Sequence, residues 1–247
     1  MIELIHSRFI FAPISDILEE TISACSTLEL GIENQPLSEY ILQTTFLKMT
    51  GASEQKLKCI CWEMASRDYE YRYEYLKNTH GECSDYKDKN AIYKELVSRI
   101  KSIDSTFQPS EFFDDKQKLI SDSKVLLYNI LSNSCIEAWV ERGIHLSRTT
   151  SPHDYITANQ LKLDEKNLFE SSLSESYTSI VYRHRNRCAH NLKSYQNNLP
   201  TLKTLEKSTY VFENYFYRYL LLIILDTIFV KLYEEYTRLL ESIPSIM

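Results

Sequence analysis

The stretch YLLLIILDTIFV (219–230) carries a single charged residue, Asp226, among apolar side chains. It lies in a predicted helix from about residue 201 to 242, and its apolar side chains form two rows. The first row keeps a three-four alternation and comprises Phe212, Tyr215, Tyr219, Leu222, Phe229, Tyr233, Tyr236 and Leu240. Leu220, Ile224 and Ile228 form the second row on another face. Such a helix is buried on two sides, either at the centre of one chain's core or between the core and a second subunit.

The rest of the chain also follows helical periods. Helices are predicted over 13–30, 37–77 (with Gly51 as a break or kink), 89–103, 116–143, and from about 167 into a basic cluster that follows. No apolar run has a period of two, and the chain contains only 4 glycines and 6 prolines, too few for the turns of an all-β fold. We therefore predict an all-α fold and a single domain over residues 1–247.

Composition restricts the classes of function. The net charge of −6 argues against a protein that coats nucleic acid by bulk electrostatics. The six cysteines have no disulfide or zinc spacing, and the N-terminus lacks the basic region of a signal peptide, so we expect a cytoplasmic protein with reduced thiols. The apolar stretch is too short to span a bilayer, which needs about twenty apolar residues, so no membrane partner is expected. No glycine-rich phosphate loop, His-Glu-x-x-His, Cys-x-x-Cys or Gly-x-Ser-x-Gly motif occurs, and we expect neither a cofactor nor a metal.

One basic segment, YRHRNRCAHN (182–191), stands apart from this acidic background. No Asp or Glu occurs from Ser176 to Leu205. The macrodipole alone favours basic residues at the end of a helix, which is one explanation. Chemistry offers another: His190 can move a proton near neutral pH, Arg185 can bind phosphate oxygens through its planar fork, and Asn186 can orient an oxygen without changing the charge. Together they could cleave RNA by attack of its 2′-OH on the adjacent phosphate.

The segment RNRCAHN resembles the signature of the HEPN superfamily (higher eukaryotes and prokaryotes nucleotide-binding). Its pattern is an Arg, often followed by a polar residue, and a His after four to six intervening residues, here Arg185, Asn186 and His190. The resemblance implies an all-α bundle, with the motif at the end of one helix and a long helix after it. GASEQKLK (51–58) and NSCIEAWVERG (133–143) resemble the small-residue-plus-Glu pattern of an early helix in that family. Glu54 and Glu137 are therefore candidate partners for Arg185, although both could also lie on the surface.

The resemblance further implies a metal-independent endoribonuclease with Arg185, Asn186 and His190 as catalytic residues. Arg183 and Arg187 are expected to contact the RNA substrate. HEPN nucleases are typically homodimers with composite sites, so a second His190 would provide the second acid–base group. The expected setting is a toxin or effector of a bacterial toxin–antitoxin or anti-phage defence system, with an antitoxin or defence protein as partner. The alternative is a non-catalytic HEPN-like module that binds RNA or nucleotide, or only dimerises.

Helical geometry leaves the assignment of the phosphate ligand open. Asn186 and His190 share a helix face, whereas Arg185 lies about 140° from His190 at 100° per residue. Either the helix ends before His190, with Asn191 just beyond its end, or Arg185 is not the only phosphate-binding arginine and Arg187 is its rival. Two neighbours are given local roles. His184 is predicted to face solvent or to pack locally, and Cys188 to be a small core residue rather than a nucleophile.

Overall fold

The computed structural model describes residues 5–27, 34–77, 82–132, 134, 136, 155–190 and 214–242, and within them it is helical without a strand. The α-helices in chain order are α1 (Ile5–Phe11), α2 (Ser15–Ala24), α3 (Gln35–Arg67), α4 (Tyr69–Lys77), α5 (Tyr86–Ile103), α6 (Pro109–Phe112), α7 (Lys116–Leu131), α8 (Ser171–Ser176), α9 (Arg183–His190) and α10 (Tyr215–Ser242). A 3₁₀ turn (Ala158–Gln160) precedes α8, and a π-helix (Tyr177–Tyr182) joins α8 to α9. The predicted all-α class is confirmed.

Helix α10 is the centre of the core. Every residue from Tyr215 to Asp226 is buried, so this half of the helix is covered around its whole circumference. It packs against α3, α5 and α7 of the same chain. Each fully buried Leu or Ile contributes about 1.5–3 kcal/mol of transfer free energy. Of the two sequence interpretations, the central core helix therefore describes α10, and its second apolar row is not left open for another subunit.

Asp226 interrupts the apolar row because it forms a buried ion pair. Its Oδ1 lies 2.6 Å from Lys56 Nζ of α3, and its Oδ2 accepts a hydrogen bond of 3.1 Å from the Ile14 amide. Lys56 Nζ also donates to the Ala12 carbonyl at 2.7 Å. Burial raises the pKa of the Asp226 carboxyl, and the Lys56 ammonium opposes that change. The pair thus ties α10, α3 and the connection between α1 and α2 together.

Helix α3 carries the candidate site and continues through Gly51 without a break. A Cβ at Gly51 would contact nothing within 4 Å, so no close approach requires glycine there. The predicted break occurs later, at Asp68, whose backbone is extended and whose Oδ1 accepts from the Tyr71 amide at 3.0 Å. Arg72 then donates to the carbonyls of Ala65 and Ser66, which satisfies the open end of α3. The segment predicted as one helix is therefore two, α3 and α4.

Other predicted boundaries shift by larger amounts. The first predicted helix, 13–30, begins at Ser15 and ends at Ala24, and the short α1 before it has no counterpart in the prediction. Helix α7 ends at Leu131, because Ser132 leaves the helical conformation with a ψ of 133°. The prediction placed that end near Gly143, and residues 137–143 lie outside the described part of the chain. The helix predicted from about residue 167 begins at Ser171. The final predicted helix is helical from Tyr215 to Ser242, and residues 201–213 and 243–247 lie outside the described part of the chain.

Candidate functional site

The basic cluster is held in place by an unusual helical segment. The π-helix Tyr177–Tyr182 precedes α9 directly, and π-turns occur frequently at functional sites. Its first residue, Tyr177, is buried and donates its hydroxyl to the Ser84 carbonyl at 3.2 Å. The Ile180 carbonyl, in the same π-helix, accepts a hydrogen bond of 3.3 Å from Arg218 Nε of α10. These contacts fix the direction in which α9 leaves the core, and α9 then packs against α3.

Helix α9 includes His190, so the helix does not end before this residue. Asn186 and His190 therefore share a face, while Arg185 lies about 140° away from His190 around the axis. The side chain of His190 lies outside the described residues. The alternative in which the helix ends before His190 is therefore excluded. The other alternative is that Arg185 is not the only arginine available to a phosphate near His190.

Arg185 is fixed by two acceptors on its two terminal nitrogens. Its Nη2 donates to Glu54 Oε2 at 3.0 Å, and its Nη1 donates to Asn186 Oδ1 at 3.2 Å. The Glu54 side chain is 12% exposed and that of Arg185 is 27% exposed, so solvent still reaches the guanidinium. The prediction of Glu54 as the partner of Arg185 is confirmed. Glu137, the other candidate, lies outside the described residues.

This pairing leaves hydrogen-bond donors for a ligand. A guanidinium has five N–H groups, and within the described part of the chain Arg185 forms only the two hydrogen bonds to Glu54 and Asn186. Because the Asn186 oxygen accepts from Arg185, its NH₂ group points away from that guanidinium and can donate elsewhere. The two residues together form a preorganised donor set of the kind that binds a phosphate.

Arg183 and Arg187 are the exposed cations of α9. Four residues apart, they lie on one helix face, and both are exposed to solvent. Neither forms an ion pair with another described residue. Their positions match the predicted role of substrate contacts, because exposed and unpaired guanidinium groups attract phosphate and can reorient towards it. That role itself stays a prediction.

His184 faces the core rather than solvent. Its ring packs against Phe46 and Tyr215, with ring centroids at 5.2 and 5.4 Å. Its Nε2 lies 3.2 Å from the Tyr215 hydroxyl and 3.5 Å from Cys188 Sγ. Burial, assisted by the charges of Arg218 and Arg187, lowers the pKa of His184 to about 2. The prediction of local packing is confirmed, and a ring that stays neutral at pH 7 cannot act as a general acid there.

Cys188 is half-buried against His184, and burial raises the pKa of its thiol. A thiol with a raised pKa is a poor nucleophile at neutral pH. The geometry agrees with the sequence interpretation that Cys188 packs rather than reacts.

Sequence reasoning did not single out two lysines, one of α5 and one of α3. Lys89 of α5 is 1% exposed, and Lys58 of α3 pairs with Glu82 at 2.7 Å near the surface. A signal for Lys89 was present, since it lies three residues before Ile92 and seven before Leu96, on the apolar stripe of its helix. A charged residue at such a position predicts a buried charge with a specific environment.

Two further properties concern only the described residues. They contain no group of three or more His, Cys, Asp or Glu side chains arranged to hold a metal ion. None of their helices combines the length and apolar composition needed to cross a bilayer. Comparison of the chain with models of protein families, with curated proteins and with solved structures finds no match.

Proposed function

We propose that this protein is a metal-independent endoribonuclease that cleaves RNA by attack of the 2′-OH on the adjacent phosphate. The observation that carries the proposal is the state of Arg185. Its guanidinium is oriented by Glu54 and Asn186, stays 27% exposed, and belongs to the helix that contains His190. Arg185 therefore keeps donors that solvent reaches and that a phosphate could accept from.

Each residue of the motif has one role in this chemistry. His190 removes the proton of the 2′-OH or returns one to the leaving 5′-oxygen. Arg185 donates to the phosphate oxygens, where negative charge builds in the transition state. Asn186 orients the attacking or leaving oxygen through its NH₂ group. Arg183 and Arg187, on the exposed face of α9, contact the neighbouring phosphates of the strand.

Cleavage requires a second acid–base group, and a symmetric dimer supplies it as the partner's His190. We therefore keep the homodimer in the proposal. Because α10 is enclosed by its own chain from Tyr215 to Asp226, the dimer must use a surface outside this part of the helix. Light scattering should give a mass of about 58 kDa, twice the 29.1 kDa of one chain. A mass of one chain at high concentration would leave His190 without its partner and would remove the composite site from the proposal.

The proposed setting is a toxin or effector of a bacterial toxin–antitoxin or anti-phage defence system, acting on cytoplasmic RNA. An RNase that cleaves without a cofactor needs an external restraint, so an antitoxin or a defence protein is the expected partner. This part rests on the resemblance of the motif Arg185, Asn186 and His190 to HEPN nucleases.

A second candidate is a non-catalytic HEPN-like module that binds RNA or nucleotide, or only dimerises. One observation favours it: the charge of Arg185 is already met by Glu54 at 3.0 Å. In that case Arg185 would hold α9 on α3, and His190 would have no chemical role. The two candidates differ in what they predict for His190.

The deciding experiment measures RNA cleavage by the purified chain in EDTA. The proposal predicts cleavage by the wild type, none by His190→Ala, and cleavage slowed about 10²–10³-fold by Arg185→Ala, with circular dichroism and mass unchanged. Arg8→Ala is a matched control, because it removes an arginine from α1, which is not part of the site. Full activity of His190→Ala, or cleavage that EDTA abolishes, would exclude this mechanism. RNA binding without cleavage would select the non-catalytic module.

A further inference from the structure

A second ion pair, Lys58–Glu82, adjoins the pair of Glu54 and Arg185. Glu54 and Lys58 are four residues apart in α3, so they lie on the same face of the helix, about 6 Å apart along its axis. Glu54 Oε2 lies 3.0 Å from Arg185 Nη2, and Lys58 Nζ lies 2.7 Å from Glu82 Oε2. The face of α3 that holds the motif arginine therefore presents a second cation one turn further along.

The residues that follow Glu82 place this pair beside the helix that leads to the motif. The Cys83 carbonyl accepts a hydrogen bond of 2.7 Å from the buried Lys89. The next carbonyl, that of Ser84, accepts a hydrogen bond of 3.2 Å from the Tyr177 hydroxyl of the π-helix. The segment that carries Glu82 thus contacts α3 on one side and the π-helix on the other, and α9 continues directly from that π-helix.

Lys58–Glu82 is the more exposed of the two pairs. The Lys58 side chain is 38% exposed and that of Glu82 is 82% exposed. An ion pair between such solvated groups is weak, so Lys58 can change its partner with little loss of stability. The hydrogen bond to Glu82 raises the pKa of the Lys58 ammonium, which is therefore charged at neutral pH. A lysine carries this charge on a flexible stem with three donors, which suits contact with a phosphate oxygen.

We propose that Lys58 is a second phosphate-binding residue, which leaves Glu82 to contact the phosphate next to the one bound by Arg185. The step of about 6 Å from Glu54 to Lys58 along α3 is comparable with the spacing of successive phosphates in an extended single strand. Glu82 then does for Lys58 what Glu54 does for Arg185, because each carboxylate orients a cation until a phosphate replaces it. The identity of the strand as RNA rests on the proposed function.

The Lys58 subsite changes the expected path of the strand. Arg183 and Arg187 contact it from α9, whereas Lys58 contacts it from α3. The strand therefore crosses the junction of the two helices instead of following α9 alone. Because Lys58 binds the backbone and not a base, it should add affinity without sequence preference.

The direct test measures the binding of a single-stranded RNA in which fluorine replaces every 2′-OH. This RNA keeps its phosphates and cannot be cut by 2′-OH attack, and fluorescence anisotropy gives its Kd. Lys58→Gln should weaken binding about five-fold at 0.1 M salt and reduce the slope of log Kd against log salt by about 0.7, the value for one phosphate contact on a single strand. Lys58→Arg keeps the charge and should bind like the wild type.

Glu82→Gln should have the opposite effect on binding. It removes the carboxylate that competes for Lys58, so binding should tighten about two- to five-fold, as expected for release of a weak exposed pair. A pair with only a structural role would change binding in the same direction when either partner is lost. In the double variant Lys58→Gln with Glu82→Gln the gain should disappear, because Glu82 acts through Lys58. An effect of net charge alone would persist in the double variant.

Lys101 and Glu165 provide the matched control. They also form a lysine–glutamate pair that solvent reaches, and Lys101 lies fifteen residues after Tyr86, about 22 Å along the axis of α5. Lys101→Gln should leave both the Kd and the salt slope unchanged. Equal effects of Lys58→Gln and Lys101→Gln would overturn the Lys58 subsite, and so would a wild-type chain that does not bind the RNA.

The subsite and the proposed function can fail separately. A chain that shows the opposite effects of Lys58→Gln and Glu82→Gln on binding but cleaves no RNA would overturn the proposed function and leave the subsite in place. A chain that cleaves RNA with the same KM in Lys58→Gln as in the wild type would overturn the subsite alone.

Discussion

Two ion pairs start from neighbouring positions of α3 and differ in almost every other respect. Lys56 pairs with Asp226 of α10 at 2.6 Å, and their side chains are 2% and 7% exposed. Glu54 pairs with Arg185 of α9 at 3.0 Å, and their side chains are 12% and 27% exposed. The two residues of α3 are two apart, so they point to opposite sides of the helix.

The difference lies in how completely each pair is satisfied. The Lys56–Asp226 pair also binds the Ala12 carbonyl and the Ile14 amide, so both members have further partners inside the protein. Arg185 keeps N–H groups that no described residue accepts, and solvent reaches them. We call Lys56–Asp226 the closed pair, because its members bind only groups inside the protein, and Glu54–Arg185 the open pair, because solvent reaches it. A closed pair stabilises the fold, whereas an open pair can exchange one partner for a ligand. Predictions follow that should separate the two.

The largest effect is expected at the closed pair. Lys56→Met leaves the Asp226 carboxylate buried without its counter-ion, which should lower the free energy of unfolding by about 3–5 kcal/mol. Urea unfolding followed by circular dichroism measures it. The double variant Lys56→Met with Asp226→Leu is the control, and it should recover most of the loss because no unpaired charge is left. A loss of less than about 1 kcal/mol in the free energy of unfolding of Lys56→Met would show that water reaches the Asp226 carboxylate.

The open pair should behave in the opposite way. Arg185→Ala is expected to change the free energy of unfolding by only about 0–1 kcal/mol, because the pair is partly solvated. It should reduce the rate of RNA cleavage by about 10²–10³-fold, as for loss of a donor to developing negative charge. Single-turnover cleavage and urea unfolding of the same preparation give both numbers. A large loss of stability with little change in cleavage would contradict the distinction between the pairs.

His184 extends the comparison between the buried pair and the solvent-exposed pair. It is the neighbour of Arg185 in sequence, but its ring packs into the core. Its pKa in the folded chain, about 2, lies far below its ordinary value near 6.5, so the unfolded chain takes up this proton first as the pH falls. Its contribution to stability is therefore present above about pH 6.5 and is lost below it, at most about 1.4 kcal/mol per pH unit and less for a half-buried ring. His184→Phe should unfold with a flatter dependence on pH between 7 and 5. Equal slopes for both proteins would place His184 in water.

The smallest effect is expected at Asn186. Asn186→Ala removes the hydrogen bond from its NH₂ group to the attacking or leaving oxygen, worth about 0.5–1.5 kcal/mol between neutral groups, so cleavage should slow by roughly two- to thirteen-fold. It also removes the acceptor of Arg185 Nη1, but Glu54 still orients that guanidinium. Asn186→Asp is an informative companion, because a carboxylate would bind the Arg185 guanidinium and repel phosphate. A loss from Asn186→Ala as large as that from Arg185→Ala would mean that Asn186 contributes directly to the chemistry.

The sequence was sufficient for the fold class, and it reduced the partners of the motif to two candidates. Periodicity predicted the helices, and Glu54 and Glu137 were both candidate partners of Arg185 until the structure paired Arg185 with Glu54. The sequence was insufficient for features that depend on tertiary contacts, such as ion-pair partners and the burial of a helix. Asp226 was visible as an interruption, but its partner Lys56 is distant in sequence. The burial of α10 on all sides from Tyr215 to Asp226 could not be separated from a dimer face, because both require the same two apolar rows.

Helix boundaries failed for local reasons. The non-helical backbones of Asp68 and Ser132 end α3 and α7 without a Gly or Pro at those positions, so no breaker residue marks them. The π-helix before α9 has no simple sequence signature, although it determines the direction of the motif. Lys89 was the one missed residue with a readable signal, a charge on the apolar stripe of α5.

The central claim is that the α9 motif cleaves RNA by attack of the RNA's 2′-OH on the adjacent phosphate. A substrate that lacks this one hydroxyl tests the claim most directly. The measurement compares an RNA oligonucleotide with the same oligonucleotide carrying one 2′-deoxy residue at the mapped cut site, in EDTA, with the product ends analysed. The account predicts 2′,3′-cyclic phosphate and 5′-hydroxyl ends from the first RNA, and no cleavage at that position in the second. Cleavage of the deoxy-substituted site, or products with 3′-hydroxyl ends, would contradict it.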